Sequence, residues 1–156
     1  MVLQEIADVA GNYTGLSRKV LDYSLLMKQL VDAAKKPGFT EADWAPLAAL
    51  VDTETFERVG NFKEVMRWPD YIAFLTGWAK TSGWEGSFKR ITEAPNLVLL
   101  ELEERSEIGG HRSVVSSVSV YEFNDEGKIT HLDIYLQMEL PDPAMLQSYE
   151  GVGISG

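Results

Sequence analysis

The last third of the chain alternates between apolar and polar residues, and this alternation constrains the fold more than any other feature. It runs through three segments: NLVLLELEERSEI, HRSVVSSVSVYEF and KITHLDIYLQM. A period of two predicts β-strands that are packed on one face and wet or partly wet on the other. The joints IGG and DEG are three-residue loops ending in glycine, as expected for two hairpins. The sequence therefore predicts an antiparallel sheet of at least three strands.

The loop lengths also predict which residues lie opposite one another. A three-residue loop places Glu107 opposite His111 and Asn124 opposite Lys128. Counted inward, this register gathers even-numbered, mostly apolar residues into three rows: Val98, Val120 and Leu132; Leu100, Val118 and Ile134; Leu102, Ser116 and Leu136. The odd-numbered rows are mostly polar, so the even-numbered face is predicted to pack against helices.

Helical periodicity fills the first half of the chain. Apolar residues recur at spacings of three and four from Leu16 to Ala34, and Tyr23 belongs to this stripe. Thr40 is a predicted N-cap for a second helix, EADWAPLAALV. Pro69 suits the first turn of a third helix, WPDYIAFLTGWAKTSG, which is expected to stop near Gly83. Three helices are therefore predicted before the sheet.

Helices followed by strands indicate an α+β fold. One or two short strands are also predicted around Gly60. The chain is interpreted as a single domain over residues 1–156, with a core at about 14–138 and a tail at 139–156. Whether this tail closes over a cavity or is a disordered terminus is left open.

Charge and composition exclude several classes of function. The formal net charge of -10 would repel a phosphate backbone, so no nucleic-acid partner is expected. Zero cysteines and two isolated histidines predict no metal site, and no cofactor is expected. No apolar run approaches the roughly 18 residues of a membrane span, so no membrane partner is expected. Without a signal peptide pattern, a cytoplasmic location is predicted.

The order of elements, the final hairpin VYEFNDEGKITHLDIYL and the segment LAALVDTETF resemble the nuclear transport factor 2-like superfamily, and within it the SnoaL-like group. The resemblance covers roughly residues 16–137. It implies three helices on the concave face of a strongly curved antiparallel sheet, a cone-shaped α+β barrel with a pocket between helices and sheet. The superfamily includes ketosteroid isomerases, scytalone dehydratases and polyketide cyclases. A cofactor-independent isomerase, dehydratase or cyclase for a cyclic apolar substrate of polyketide, steroid or terpenoid type is thereby implied.

The sequence departs from two catalytic patterns of that superfamily. Limonene-type epoxide hydrolases carry an arginine and two aspartates at places that align with Leu100, Leu102 and Ile134, so an epoxide-opening triad is absent. The ketosteroid isomerase pattern of a helix tyrosine, a first-strand aspartate and a sheet aspartate is matched in part, by Tyr23 and Asp52.

Two sets of catalytic candidates follow, each with a simpler interpretation beside it. Tyr23 would polarise a carbonyl while Asp52 acts as general base, although a core tyrosine and a solvated carboxylate explain the same residues. His131 with Asp133 is the alternative pair. The predicted register places both on the outer face, where a solvated or dimer-contacting role is the simpler interpretation.

Ligand-binding candidates lie in the aromatic helical half or on the predicted inner face: Trp44, Trp68, Trp78, Leu100, Leu102, Ser116, Val118, Thr130, Leu132 and Ile134. Aromatic residues at helical spacing are also typical of a core. Ser116 and Thr130 would orient a small apolar ligand through a hydrogen bond. Two non-enzymatic alternatives stay open, a binder of a small apolar molecule and a dimerisation module. A homodimer through the outer sheet face is predicted.

Overall fold

The computed structural model describes residues 2–108 and 110–139, so the predicted tail lies almost entirely outside the described residues. The described residues form four α-helices: α1 Ile6–Val9, α2 Gly15–Ala33, α3 Ala45–Ala48 and α4 Trp68–Ala79. Two 3-10 turns, Ala10–Asn12 and Glu41–Trp44, precede α2 and α3. The strands are β1 Gln4–Glu5, β2 Glu57–Val59, β3 Val65–Arg67, β4 Ser82–Ala94, β5 Leu97–Ile108, β6 His111–Phe123 and β7 Ile129–Gln137.

The predicted α+β fold is confirmed: helices pack on one face of a curved, mostly antiparallel sheet of seven strands. The strand order is β1-β4-β5-β6-β7-β2-β3, and only the β2–β7 pairing is parallel among the described strands. We call the face toward the helices the inner face and the opposite one the outer face. No helix in the described part of the chain is long and apolar enough to cross a membrane.

Helices are present at all three predicted places, but their lengths differ from the prediction. The first predicted helix is α2, and its apolar stripe is buried against the sheet. The second is divided into a 3-10 turn and the short α3, with Pro46 in its first turn. The third, α4, ends at Ala79 rather than near Gly83, because the chain turns and enters β4 at Ser82.

The strand β4, SGWEGSFKRITEA, was not predicted from the sequence. It pairs with β5 along nearly its whole length. Two features hide its alternation: glycines replace side chains at positions 83 and 86, and a bulge between Phe88 and Arg90 shifts the register by one residue. Gly86, Phe88 and, beyond the bulge, Ile91 lie opposite the inner-face residues of β5.

The predicted register between β5 and β6 is wrong by one residue. Ile108, not Glu107, pairs with His111, so the loop is one residue shorter than predicted. Leu100 therefore faces Ser119 and Leu102 faces Ser117. A shift of one residue exchanges the two faces of a strand. The inner face of β6 thus carries its odd-numbered residues, and the even-numbered ones, which were predicted to point inward, lie on the outer face.

A bulge then restores the predicted parity in β7. Phe123 pairs with Ile129 but Glu122 pairs with His131, so Thr130 is an extra residue in β7. Leu132 and Ile134 lie on the inner face as predicted. The odd-numbered residues of β7 from His131 onward, beyond the bulge, lie on the outer face.

Candidate active site

A cavity of about 390 Å³ lies between α2, α4 and the inner face of the sheet. This volume is within the range of small-molecule sites. Its apolar lining comes from Met27, Leu75, Trp78, Leu102, Leu132, Ile134 and Leu136. Phe62 and Phe74 also line it and are 81% and 47% exposed, so they mark its mouth. A cavity of this kind accommodates a compact apolar molecule.

Three tyrosines from three elements line the cavity. Tyr23 belongs to α2, Tyr71 to α4 and Tyr121 to the inner face of β6, and all three are buried. The rings of Tyr23 and Tyr121 meet edge to face, with centroids 5.6 Å apart. The Tyr23 hydroxyl is close enough to Tyr71 for the two groups to influence each other. It nevertheless forms no hydrogen bond of ordinary geometry with any described residue.

Burial raises the pKa of all three phenols. For Tyr23 the neighbouring Tyr71 and Tyr121 hydroxyls add to the effect of burial, and Arg58 partly opposes it. Burial also dominates the raised pKa of Tyr71, against the opposing charge of Arg58. The pKa of Tyr121 is raised by burial, by Tyr71 and by the Glu104 carboxylate. The three phenols therefore remain protonated hydrogen-bond donors at neutral pH.

Arg58 brings a positive charge into the cavity from β2. It pairs with Leu132 of β7, which places it on the inner face, and its side chain is only 15% exposed. The guanidinium carbon lies 5.1 Å from the ring centroid of Tyr71. Nη1 is 3.6 Å from Glu64 Oε1, and the buried Nε has no hydrogen-bond partner within residues 2–108 and 110–139. The guanidinium is therefore incompletely paired.

The loop between β2 and β3 carries Glu64 and also Phe62, which lies at the mouth of the cavity. A Cβ atom at Gly60 would lie 1.6 Å from Glu64 Oε1, so only glycine leaves room for this carboxylate to reach Arg58. The other Glu64 oxygen accepts a hydrogen bond from the Phe62 amide at 2.9 Å. The absence of a side chain at Gly60 thus leaves the Glu64 carboxylate its place beside Arg58.

Glu104 supplies a carboxylate from β5. Its Oε1 accepts a hydrogen bond from Trp84 Nε1 at 2.6 Å. Gly86 is the β4 partner of Glu104, and a Cβ atom there would lie 3.1 Å from the Trp84 ring. Because Gly86 has no side chain, the indole can lie across the strand and orient Glu104. Among the described lining residues, Glu104 carries the only carboxylate and Arg58 the only positive charge.

Of the fourteen sequence-predicted site residues, the structure places six at this cavity or in the core beneath it. Five of them line the cavity: Tyr23, Trp78, Leu102, Leu132 and Ile134. Leu100 points to the same side but is fully buried in the core. These residues share a helical stripe or an inner-face position whose parity was predicted correctly.

Four predicted ligand-binding residues lie elsewhere. Trp44 is a core residue whose Nε1 donates to Thr76 Oγ1 at 2.9 Å. Trp68 packs edge to face on Phe56, with centroids 5.2 Å apart. Both interpretations as cavity residues are wrong, because helical spacing directs these rings into the core. Ser116 and Val118 lie on the outer face, as the corrected register requires, and Ser116 accepts a hydrogen bond from Lys89.

Thr130 is also misplaced by the sequence analysis. It is the extra residue of the β7 bulge, and its hydroxyl donates to the Glu122 carbonyl at 3.3 Å rather than facing the cavity. A bulge is invisible to a count that assumes regular pairing.

Asp52 does not line the cavity. Its Oδ1 accepts hydrogen bonds from the amides of Glu54 and Thr55, at 3.2 and 3.3 Å, and its Oδ2 accepts one from Asn124. It therefore holds the turn that leads into β2. The inner-face residue of that strand is Arg58, a base where the isomerase pattern has a carboxylate.

His131 and Asp133 lie on the outer face. His131 Nε2 is 2.9 Å from Asp133 Oδ1, and Nδ1 is 3.6 Å from Glu57 Oε1. All three belong to the odd-numbered side of β2 and β7. The sheet itself separates this group from the cavity.

Several cavity residues were missed. Tyr121 was missed because the predicted register placed it on the outer face, and Glu104, Tyr71 and Arg58 were each missed for a different reason. Glu104 continues the even-numbered row of β5 beyond Leu102, so strand parity carried the signal for it. Tyr71 stood beside the apolar stripe of the third helix. Arg58 lies in a strand of three residues, which is too short for its parity to be read.

No family model matches the sequence, and no curated protein matches it. Solved structures match at probability 1.00. One is a putative SnoaL-like polyketide cyclase from Shewanella putrefaciens, with a TM-score of 0.67 and 10% identity over 87% of this chain and 90% of that one. An NTF2-like protein of unknown function from Cytophaga hutchinsonii has a TM-score of 0.56 and 14% identity over 86% and 96%. An LEH-like epoxide hydrolase from M. tuberculosis has a TM-score of 0.54 and 20% identity over 73% and 84%.

Proposed function

Because the chain has the nuclear transport factor 2-like fold, we propose that it is a small acid/base enzyme of the isomerase, dehydratase or cyclase kind. One observation carries the proposal: Glu104 and the phenols of Tyr23, Tyr71 and Tyr121 line the same largely apolar cavity. A substrate in this cavity would meet a proton acceptor and three neutral donors. The substrate class is a cyclic apolar molecule of polyketide, steroid or terpenoid type.

Each group has a definite part in the proposed chemistry. The Glu104 carboxylate takes a proton from a carbon next to a carbonyl and returns it at a second position. The phenols of Tyr71 and Tyr121, whose pKa responds to the charge of Glu104, donate hydrogen bonds to the oxyanion that forms. Apolar surroundings strengthen these interactions, and the Trp84 indole keeps Glu104 oriented.

The fold comparison supports this reaction type but carries no substrate. One similar structure is described as a polyketide cyclase and another as an epoxide hydrolase, at identities of 10% and 20%. The cavity lacks the arginine and aspartate set expected for epoxide opening, because Leu102 and Ile134 occupy two of those places. Proton transfer next to a carbonyl is therefore the better match to the residues present.

The test is a panel of polyketide, steroid and terpenoid ketones offered to the wild type, to Glu104→Gln and to Asp133→Asn. Glu104→Gln should reduce turnover by about 10²- to 10⁴-fold, the usual contribution of a general acid or base. Asp133→Asn is the matched control, an outer-face carboxylate of similar size, and should leave turnover within about twofold. Equal turnover by the two variants would remove Glu104 from the mechanism.

A second candidate, a non-catalytic binder of a small apolar molecule, is favoured by the composition of the cavity floor. Leu102, Leu132, Ile134 and Leu136 line it, and Glu104 is the only acid in the described lining. A binder would retain an apolar ligand that is recovered chemically unchanged. Turnover of any panel compound by the wild type would decide against this alternative.

We also propose a homodimer through the outer face and a cytoplasmic location. Tyr135 is 60% exposed there, and Val118 lies in the same shallow depression. Sedimentation at micromolar concentration should give a dimer for the wild type and a monomer for Tyr135→Arg. A monomeric wild type would refute the dimer. The proposed location is supported by the absence of cysteines in the sequence, and fractionation of expressing cells tests it.

A further inference from the structure

We infer that the cavity takes an apolar ring carrying a carboxylate, with the carboxylate at Arg58 and the ring between Phe74 and Trp78 near the mouth. The inference rests on the proposed function in that it concerns the same cavity. It goes further because it names a charged group of the ligand and the residue that recognises it.

Unsatisfied donors at one end of the cavity are the first argument. Arg58 Nε and Tyr23 Oη are buried and make no hydrogen bond of ordinary geometry with any residue that the structure describes, although Tyr23 lies close to Tyr71. Tyr23 is only 3% exposed. A buried donor without an acceptor is unfavourable, and two such donors lining one cavity favour a ligand that brings acceptor oxygens.

The charge of the donor pair favours an anion over a neutral acceptor. Glu64 is the nearest carboxylate to Arg58, but at 3.6 Å it is beyond hydrogen-bond distance and is itself partly exposed. A guanidinium presents five N–H donors in a planar fork that matches a carboxylate. Because burial raises the pKa of Tyr23, its phenol stays protonated and offers the ligand a neutral O–H donor without a competing negative charge.

Separation of the charges along the sheet is the second argument. Glu104 lies on β5 and Arg58 on β2, with β6 and β7 between them. Three strand spacings amount to about 14 Å of sheet, less across a curved inner face. The cavity therefore has an anionic end and a cationic end, and a ligand carboxylate at Arg58 is kept away from Glu104.

Aromatic residues near the mouth supply the site for the ring. Phe62, Phe74 and Trp78 line the cavity beside apolar residues of α4 and β7. Flat rings bury a large area against such side chains. A ligand with a carboxylate at Arg58 and an aromatic or fused ring toward the mouth fits this arrangement.

The experiment measures binding of 2-naphthoate and of its neutral counterpart 2-naphthamide by calorimetry and by tryptophan fluorescence. The wild type should bind the carboxylate at least about tenfold more tightly than the amide. Arg58→Met should lose this preference, and Arg58→Lys, which retains the charge without the fork, should keep part of it. Glu64→Gln should strengthen carboxylate binding because it removes the competing acid.

Several outcomes would overturn the inference. They are equal affinity for the two probes, binding of neither, or an unchanged preference in Arg58→Met. Circular dichroism checks the fold of Arg58→Met, and Glu64→Gln tests the same charge in a chain that retains Arg58. Glu104→Gln should keep the preference for 2-naphthoate while losing turnover. A preference for 2-naphthoate without turnover of any panel compound would refute the proposed enzyme and support the carboxylate site. Turnover without that preference would support the enzyme and refute the carboxylate site.

Discussion

Ionisable residues lie on both faces of the strand pair β2 and β7. Arg58 and Leu132 are paired on the inner face, and their neighbours Glu57 and His131 are paired on the outer face. The inner charge is enclosed with three phenols whose pKa values burial raises. The outer group pairs with itself and is reached by solvent. Neighbouring residues of one strand therefore lie in two environments: one side chain is enclosed in the cavity, and the next is in contact with solvent.

Alkaline pH should give the largest contrast between the two faces. The phenols of Tyr23, Tyr71 and Tyr121 have folded-state pKa values above the ordinary 10, so the folded protein binds more protons than the unfolded chain at high pH. Their contribution to stability is complete below pH 10 and is lost as the pH rises toward the folded-state values. Between pH 10 and 11 Tyr121 alone should lower the free energy of unfolding by about 1 kcal/mol, and Tyr23 and Tyr71 should add to this loss.

Denaturant titration of the wild type and of Tyr121→Phe at pH 9, 10 and 11 measures this loss. Tyr121→Phe should reduce it by about 1 kcal/mol, and Tyr135→Phe, at an exposed outer-face tyrosine, is the matched control. An equal loss between pH 10 and 11 in the wild type and in Tyr121→Phe would contradict burial of this phenol as the cause.

Gly86→Ala should be the next largest effect. The added Cβ atom would lie 3.1 Å from the Trp84 ring and 3.2 Å from Leu102, so these side chains must shift by a few tenths of an ångström, which disturbs the packing beside Glu104. A loss of about 1 kcal/mol in the free energy of unfolding is expected, with a shifted tryptophan emission. Gly83→Ala is the control on the same strand, since no described atom lies within 4 Å of its added Cβ. Equal effects of the two alanines would contradict the role of Gly86.

Asp133→Asn should have a smaller effect on stability. It breaks the 2.9 Å contact with His131 on the outer face, where both side chains remain partly exposed. A loss of at most about 1 kcal/mol is expected, diminishing at high salt. A loss above 2 kcal/mol that salt does not change would show that the outer group is enclosed after all.

Tyr23→Phe should change the free energy of unfolding least, by less than about 0.5 kcal/mol, because the hydroxyl it removes has no partner within the described chain. Ser17→Ala provides the comparison, since the Ser17 hydroxyl is also buried but donates to Glu93 at 2.7 Å. Its loss should cost about 1 kcal/mol. Thermal denaturation of both variants compares a partnered and an unpartnered hydroxyl directly, and a larger loss for Tyr23→Phe would contradict the assignment.

The sequence predicted the α+β fold because period and order are local properties of the chain. The inner positions of β5 and β7 followed from alternation alone, and so did the outer positions of His131 and Asp133. β6 was inverted because one loop is a residue shorter than its glycines indicated, and the Thr130 bulge then cancelled the error in β7. Loop length and bulges are decided by the packing of distant segments, which a local pattern does not contain.

The candidate site was predictable only in part for the same reason. Tyr23 and the aliphatic floor followed from periodicity, and Glu104 would have followed had the even row been continued past Leu102. Trp84 and Gly86 belong to a strand that glycines and a bulge concealed. Arg58 required the pairing of β2 with β7, a contact between residues more than 70 positions apart in the sequence.

The strands β2 and β3, at one edge of the sheet, have only three residues each. The hairpin that carries Arg58 and Phe62 is joined to the rest of the sheet by a few ladder bonds and by the Asn61 side chain, which accepts from the Leu136 amide at 3.0 Å. So small a cooperative unit separates from its neighbour at a lower free energy than the long central strands do. Amide hydrogens of residues 57–67 should accordingly exchange before those of β5 and β6. Transient detachment of this edge would allow a bulky ligand to enter and leave the cavity.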